Sequence, residues 1–138
     1  MHRSDFQRLA AVRIREARTL LGAGMFDGGY YLAGYSIECA LKSCIAKRTR
    51  KNDFPDKDFV RDCYTHSLEA LIKHAGLKPA LEAESKRSKP FELNWAVVKD
   101  WTEESRYGAP VPEAKARALL SAITAPRVGL LPWIRKRW

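Results

Sequence analysis

The chain is short of the features that mark secreted, membrane-bound or metal-bound proteins. Its three cysteines, Cys39, Cys44 and Cys63, are odd in number and show no Cys-x-x-Cys spacing. Structural thiols are therefore expected, and neither a disulfide framework nor a zinc site. No apolar run reaches the length of a membrane span. The first residues, Met-His-Arg-Ser-Asp-Phe-Gln, carry no apolar signal core, so a cytoplasmic protein away from any membrane is expected. Repeats, low-complexity segments and stretches alternating as strands are all missing. Nothing in the composition calls for a cofactor or a metal ion.

Acid is also scarce. Sixteen carboxylates face 25 basic residues, for a net charge of +9 over 138 residues. That balance favours a polyanionic partner, with nucleic acid first among them. The basic residues cluster: Lys47, Arg48, Arg50 and Lys51 form a knot, and from Ala114 to the end there are six cations and no carboxylate. With 46% hydrophobic and 30% charged residues, the chain has the composition of one globular domain covering 1–138. The basic and apolar segment 126–138 reads as a tail whose docking partner is not legible.

What is present is helical periodicity. Asp27 to Lys47 reads as one helix of about five turns, with Tyr30, Gly34, Ile37, Leu41 and Cys44 on a buried stripe. Asp27 is placed to cap it. Tyr31, Tyr35, Glu38 and Lys42 share a second face; Glu38 and Lys42 can pair, and a buried Glu38 would need Lys42, Arg106 or a tyrosine hydroxyl as partner. Before it, a helix opening on the capping box Ser4-x-x-Gln7 carries Phe6, Ala10, Ile14, Ala17 and Leu21 and ends at Gly22-Ala-Gly24. The turn between the two is short, so they pack antiparallel.

Further on, Asn52 to Asp56 is turn chemistry and Lys57 to Arg61 one helical turn. A third helix is expected from Thr65 or His66 to Ala75, and a short one from Pro79 to about Ser85. Another runs from Pro90 to about Ser105 with Phe91, Trp95, Val98 and Trp101 or Thr102 inward, and a last from Ala114 to Ile123. The fold class is all-α, an antiparallel up-and-down bundle of four or five main helices.

The sharpest local chemistry is Arg61-Asp62-Cys63-Tyr64-Thr65-His66. A histidine can take the proton of a ribose 2′-hydroxyl or give one to the leaving 5′-oxygen. An arginine can neutralise the phosphate as charge builds. Asp62 is placed to orient either partner, and a helix N-terminus at His66 would disfavour its protonated form. By itself an Arg–His pair in so basic a chain carries little weight. Arg106 and Tyr107 offer a second phosphate contact and a stacking ring.

Three segments together resemble the HEPN family (higher eukaryotes and prokaryotes nucleotide-binding domains): the Gly-Tyr-Tyr-Leu-Ala-Gly-Tyr-Ser-Ile-Glu-Cys-Ala-Leu-Lys helix, the Arg61/His66 element continuing as Ser-Leu-Glu-Ala-Leu, and Trp101 followed by Ser105-Arg106-Tyr107. The resemblance spans roughly Phe6 to Ile123. It implies a helical bundle that forms a homodimer, and a metal-independent endoribonuclease of the toxin–antitoxin or defence type, with Arg61 and His66 as the catalytic pair. The alternative it implies is a catalytically inactive nucleotide- or RNA-binding module, or the partner of a small nucleotidyltransferase or an antitoxin. A third reading, a general basic nucleic-acid binder using the Lys47–Lys51 knot and the tail, predicts binding that collapses with salt and ignores Arg61 and His66.

Overall fold

The computed structural model describes residues 1–49 and 57–138. Arg50, Lys51 and the expected turn at Asn52 to Asp56 lie outside the described residues. Among those described there are eight α-helices, one 3-10 turn and no strand: α1 Arg3–Gly22, α2 Phe26–Arg48, α3 Lys57–Asp62, α4 Leu68–His74, α5 Lys78–Arg87, α6 Lys89–Lys99, the 3-10 turn Glu103–Arg106, α7 Glu113–Thr124 and α8 Leu130–Arg135. The class is all-α. None of the described helices is long and apolar enough to cross a membrane.

Helix α2 is the axis of the molecule. Thirteen of its residues are buried, and it touches α1, α4, α7, α8 and the 3-10 turn. With α1 it forms an antiparallel hairpin. Ser36 Oγ donates to the Ala10 carbonyl at 2.9 Å, and Gln7 lies beside Ala46 and Thr49 at the far end. Gly24, at φ +79, makes the reversal, a backbone conformation glycine adopts without a Cβ clash. The α1 stripe buries Ala10, Ile14, Ala17 and Leu21, with Phe6 half-buried at its start.

Several helix ends differ from the sequence expectation. Helix α1 begins before Ser4, and Asp5 takes the capping role by accepting the His2 N–H at 2.8 Å. Asp27 does not cap α2, which starts at Phe26. Its carboxylate instead accepts the Val111 N–H at 2.6 Å and pins the segment before α7. Helix α4 starts later than expected, at Leu68, because Ser67 caps it by accepting the Ala70 N–H. The helix from Pro90 ends at Lys99 rather than near Ser105. Trp101 turns into the core there, and Thr102 takes an extended conformation before the 3-10 turn begins.

The tail also differs. Pro126 ends α7, but the segment after it forms α8 and buries Leu130, Leu131, Trp133 and Ile134 against α2, α6 and α7. Arg3 Nη2 donates to the Trp138 carbonyl at 2.5 Å. The end of the chain is thus part of the core and not an appended arm.

Cys39 and Cys44 are buried in α2. Burial pushes both thiols from their ordinary 9.0 up to about 11, with the neighbouring Glu38 adding to the effect at Cys39. The folded chain keeps them protonated where the unfolded chain ionises. The stability this represents is fully present below pH 9.0 and is lost as pH rises through about 11, on the order of 2 kcal/mol per thiol. Thermal melting followed across that window is expected to show a falling midpoint, with a smaller fall in the Cys44→Ala variant.

Candidate functional site

Glu38 is the least expected feature of α2. It is 1% exposed, in the middle of the most buried helix. An ionised carboxylate there needs partners, and it has two on one oxygen. Lys42 Nζ donates to Oε1 at 2.9 Å from one turn onward. His66 Nδ1 lies 2.8 Å from the same oxygen. Oε2, also buried, meets no donor among the described residues.

His66 comes from the loop before α4. It stands one residue before the Ser67 cap, so its ring faces carboxylates and not the N–H groups of a helix start, which corrects the helix-dipole expectation. A carboxylate oxygen can only accept, so Nδ1 carries a proton towards Glu38. Nε2 faces outward, 3.3 Å from Glu103 Oε2. The His66 side chain is 45% exposed and lines a pocket of about 440 Å3 with Thr65, Lys99, Trp101, Thr102 and Glu103. One nitrogen is held by a buried anion, while the other meets only a partly exposed carboxylate at the pocket. That is the arrangement an acid–base histidine needs.

The opposite wall is built by the segment after α6. Trp101 is buried against α2, and Gly34 makes this possible: a Cβ on Gly34 would collide with the indole ring. This close approach positions the 3-10 turn above the second face of α2. Arg106 Nη1 donates to the Tyr31 hydroxyl at 3.2 Å, and its guanidinium lies 5.5 Å from the Tyr31 ring centre and 4.6 Å from that of Tyr107. Arg106 Nη2 is 3.7 Å from the same Glu103 oxygen that faces His66. Tyr31 and Tyr35 stack with centroids 6.0 Å apart. Burial first, then Cys39 and Glu38, push the Tyr35 hydroxyl above its ordinary value. The two-tyrosine face is thus partly covered by the chain's own turn.

The other expected site residues are dispersed. Arg61 sits at the end of α3, three-quarters exposed, paired with Asp58 at 3.0 Å. It is not among the residues lining the His66 pocket. Asp62 is exposed, and the carboxylate that orients His66 is Glu38 and not Asp62. Lys47 Nζ donates to the Arg137 carbonyl at 3.4 Å and Arg48 Nη1 to the His74 carbonyl at 3.0 Å. Both tie the end of α2 to neighbouring segments. Arg48 lies over Gly76, whose φ of +71 closes α4. Arg106, expected as a nucleic-acid contact, approaches the Glu103 oxygen that faces His66, and Tyr107, 78% exposed, lies beside Arg106.

The cluster that emerges is Glu38, His66, Glu103, Arg106 and Tyr31. Glu103 was not among the residues the sequence placed in a site, and Tyr31 was read only as part of a face that could meet a ligand or a second subunit. Glu103 is one carboxylate of an ordinary Glu-Glu pair and carries no sequence signal. Compared with family models, with characterised proteins and with solved structures, the chain finds no match.

Proposed function

We propose that the protein is a metal-independent endoribonuclease of the HEPN type, built on that family's antiparallel bundle and acting as a homodimer. The observation that carries this reading is the His66 ring, with Nδ1 held by a buried carboxylate and Nε2 on the pocket side, 3.3 Å from a Glu103 oxygen that Arg106 Nη2 also approaches at 3.7 Å. His66 is the acid–base group. Glu38 selects its tautomer and stabilises the imidazolium when a second proton arrives. Arg106 replaces Arg61 as the cation beside it, placed to balance charge on the phosphate in the transition state. Tyr107, exposed next to Arg106, offers a stacking surface for an unpaired base. The +9 net charge favours RNA as the polyanion.

One observation favours a second reading. Arg61 pairs with Asp58 and does not line the His66 pocket, so the arginine of the expected pair makes no recorded contact with the histidine among the described residues. On that reading the same cluster binds RNA or a nucleotide without cutting it, and the protein works as the partner of a nucleotidyltransferase or an antitoxin.

The two separate in one experiment. The purified protein is incubated with mixed single-stranded and transfer RNAs in EDTA, beside His66→Ala, Arg106→Ala and Arg61→Ala. Cleavage by the parent leaving 2′,3′-cyclic phosphate ends, a loss of about a thousandfold in His66→Ala and of ten- to a hundredfold in Arg106→Ala, and little change in Arg61→Ala is the expected pattern. No cleavage by the folded parent, or equal cleavage by parent and His66→Ala, sinks the ribonuclease reading.

A further inference from the structure

Two carboxylates meet His66, and they are held very differently. Glu38 is 1% exposed and takes two hydrogen bonds of 2.8 and 2.9 Å. Glu103 is 31% exposed, and its Oε2 makes two looser contacts, 3.3 Å to His66 Nε2 and 3.7 Å to Arg106 Nη2. It rides on a single 3-10 turn, whose hydrogen bonds are poorer in geometry than those of an α-helix. Extended Thr102 precedes the turn and the exposed stretch Tyr107 to Pro110 follows it. Within the same turn the buried Ser105 Oγ has no partner among the described residues, so this arrangement leaves a hydrogen bond unmade.

Arg106, on the same turn and 41% exposed, makes more contacts than Glu103. Its Nη1 donates to Tyr31 and its guanidinium plane lies near two aromatic rings. His66 is fixed by Glu38. The result is a pair of nitrogens, Arg106 Nη2 as a standing donor and His66 Nε2 as a donor once the ring is doubly protonated, converging on one oxygen of a loosely held anion. Carboxylate and phosphate oxygens compete for the same charge-assisted donors.

We propose that His66 and Arg106, with the Tyr31 hydroxyl behind Arg106, form a subsite for a phosphodiester group, and that Glu103 fills it in the resting protein as an internal anion the substrate displaces. The identity of the incoming anion as an RNA phosphate rests on the ribonuclease reading; the existence of the subsite does not. Glu38 is the permanent partner that orients the ring, and Glu103 the exchangeable one. Partly exposed ion pairs of this kind are weak, which lets a phosphate oxygen take them over. Lys99, lining the same pocket, adds to the field an anion meets on entry.

The test uses inorganic phosphate as the probe, with binding followed by calorimetry and by the NMR shift of the His66 ring. E103Q keeps the size of the side chain and removes its charge. It is expected to bind phosphate about five- to tenfold more tightly than the parent, and the E103Q/R106Q double variant to lose that gain. Binding by E103Q no tighter than the parent, or a gain that survives R106Q, overturns the subsite. RNA cleavage is scored separately. A parent that does not cut RNA, with E103Q still gaining phosphate affinity, keeps the subsite and removes the ribonuclease reading. A cutting parent whose E103Q variant gains nothing does the reverse.

Discussion

Glu38→Gln is expected, on the proposed ribonuclease reading, to lower kcat for RNA cleavage by about a hundredfold or more, with KM nearly unchanged. Glu38 touches no solvent-facing part of the pocket, so it contributes little to holding RNA. Its work lies behind the ring. The carboxylate accepts from Nδ1, leaves Nε2 as the working nitrogen, and carries the charge that steadies an imidazolium. A glutamine keeps the shape and loses the charge. It also puts a buried amide N–H2 where Oε2 now has no hydrogen-bond partner among the described residues, and an N–H2 left unpaired there costs roughly 1–3 kcal/mol. The variant should therefore be slower and less stable at once. Steady-state kinetics beside a denaturant titration separate the two effects. A change confined to KM would make Glu38 a binding residue and remove the acid–base account of His66.

The second large effect is structural. Trp101→Ala is expected to destabilise the protein by about 3–5 kcal/mol. The indole is 1% exposed, lies over Gly34 in α2 and stands 6.1 Å, centre to centre, from the Tyr31 ring. It is also the anchor from which Glu103 and Arg106 are hung. Losing it should free the 3-10 turn and reduce RNA binding and cleavage even where the fold survives. The complementary change is Gly34→Ala, whose methyl would push the indole out of place, at a cost of about 1–3 kcal/mol. Urea unfolding of the two variants and the double variant checks the argument, because residues in contact do not add. A Gly34→Ala protein as stable as the parent would show that the turn can shift without loss, contrary to the close packing inferred here.

The helices were legible wherever an apolar stripe ran at helical spacing. Ala10, Ile14, Ala17 and Leu21 in α1, and Leu68, Leu71 and Ile72 in α4, are inward as their spacing requires. Helix ends were less legible, because several side chains compete for the same orphan N–H groups. Asp5 won over Ser4 at the start of α1, and Asp27 was recruited 84 residues away by Val111. The break after Lys99 is a tertiary decision: the stripe Phe91, Val98, Trp101 is buried as one face, yet Trp101 reaches its place under a turn and not within a helix. The tail was opaque because its apolar residues show a partner only once α2, α6 and α7 are in position.

The site was legible in half. His66 stood out as a chemical group, and Arg106 and Tyr107 as a cation with a ring beside it. The need of a buried Glu38 for a partner could also be stated, with Lys42 as one candidate. That His66 is the other partner depends on folding together residues 28 apart, which no spacing rule encodes. The attraction of Arg61 was proximity along the chain; in space α3 turns it towards Asp58.

The claim on which the rest depends is that Glu38 holds His66 as an acid–base group, and its most direct measurement is the ring 15N NMR spectrum of His66 in the parent and in Glu38→Gln. The neutral ring in the parent is predicted to carry its proton on Nδ1, and the Glu38→Gln ring to lose that preference. A neutral ring protonated on Nε2, or a spectrum indifferent to Glu38→Gln, would contradict the account.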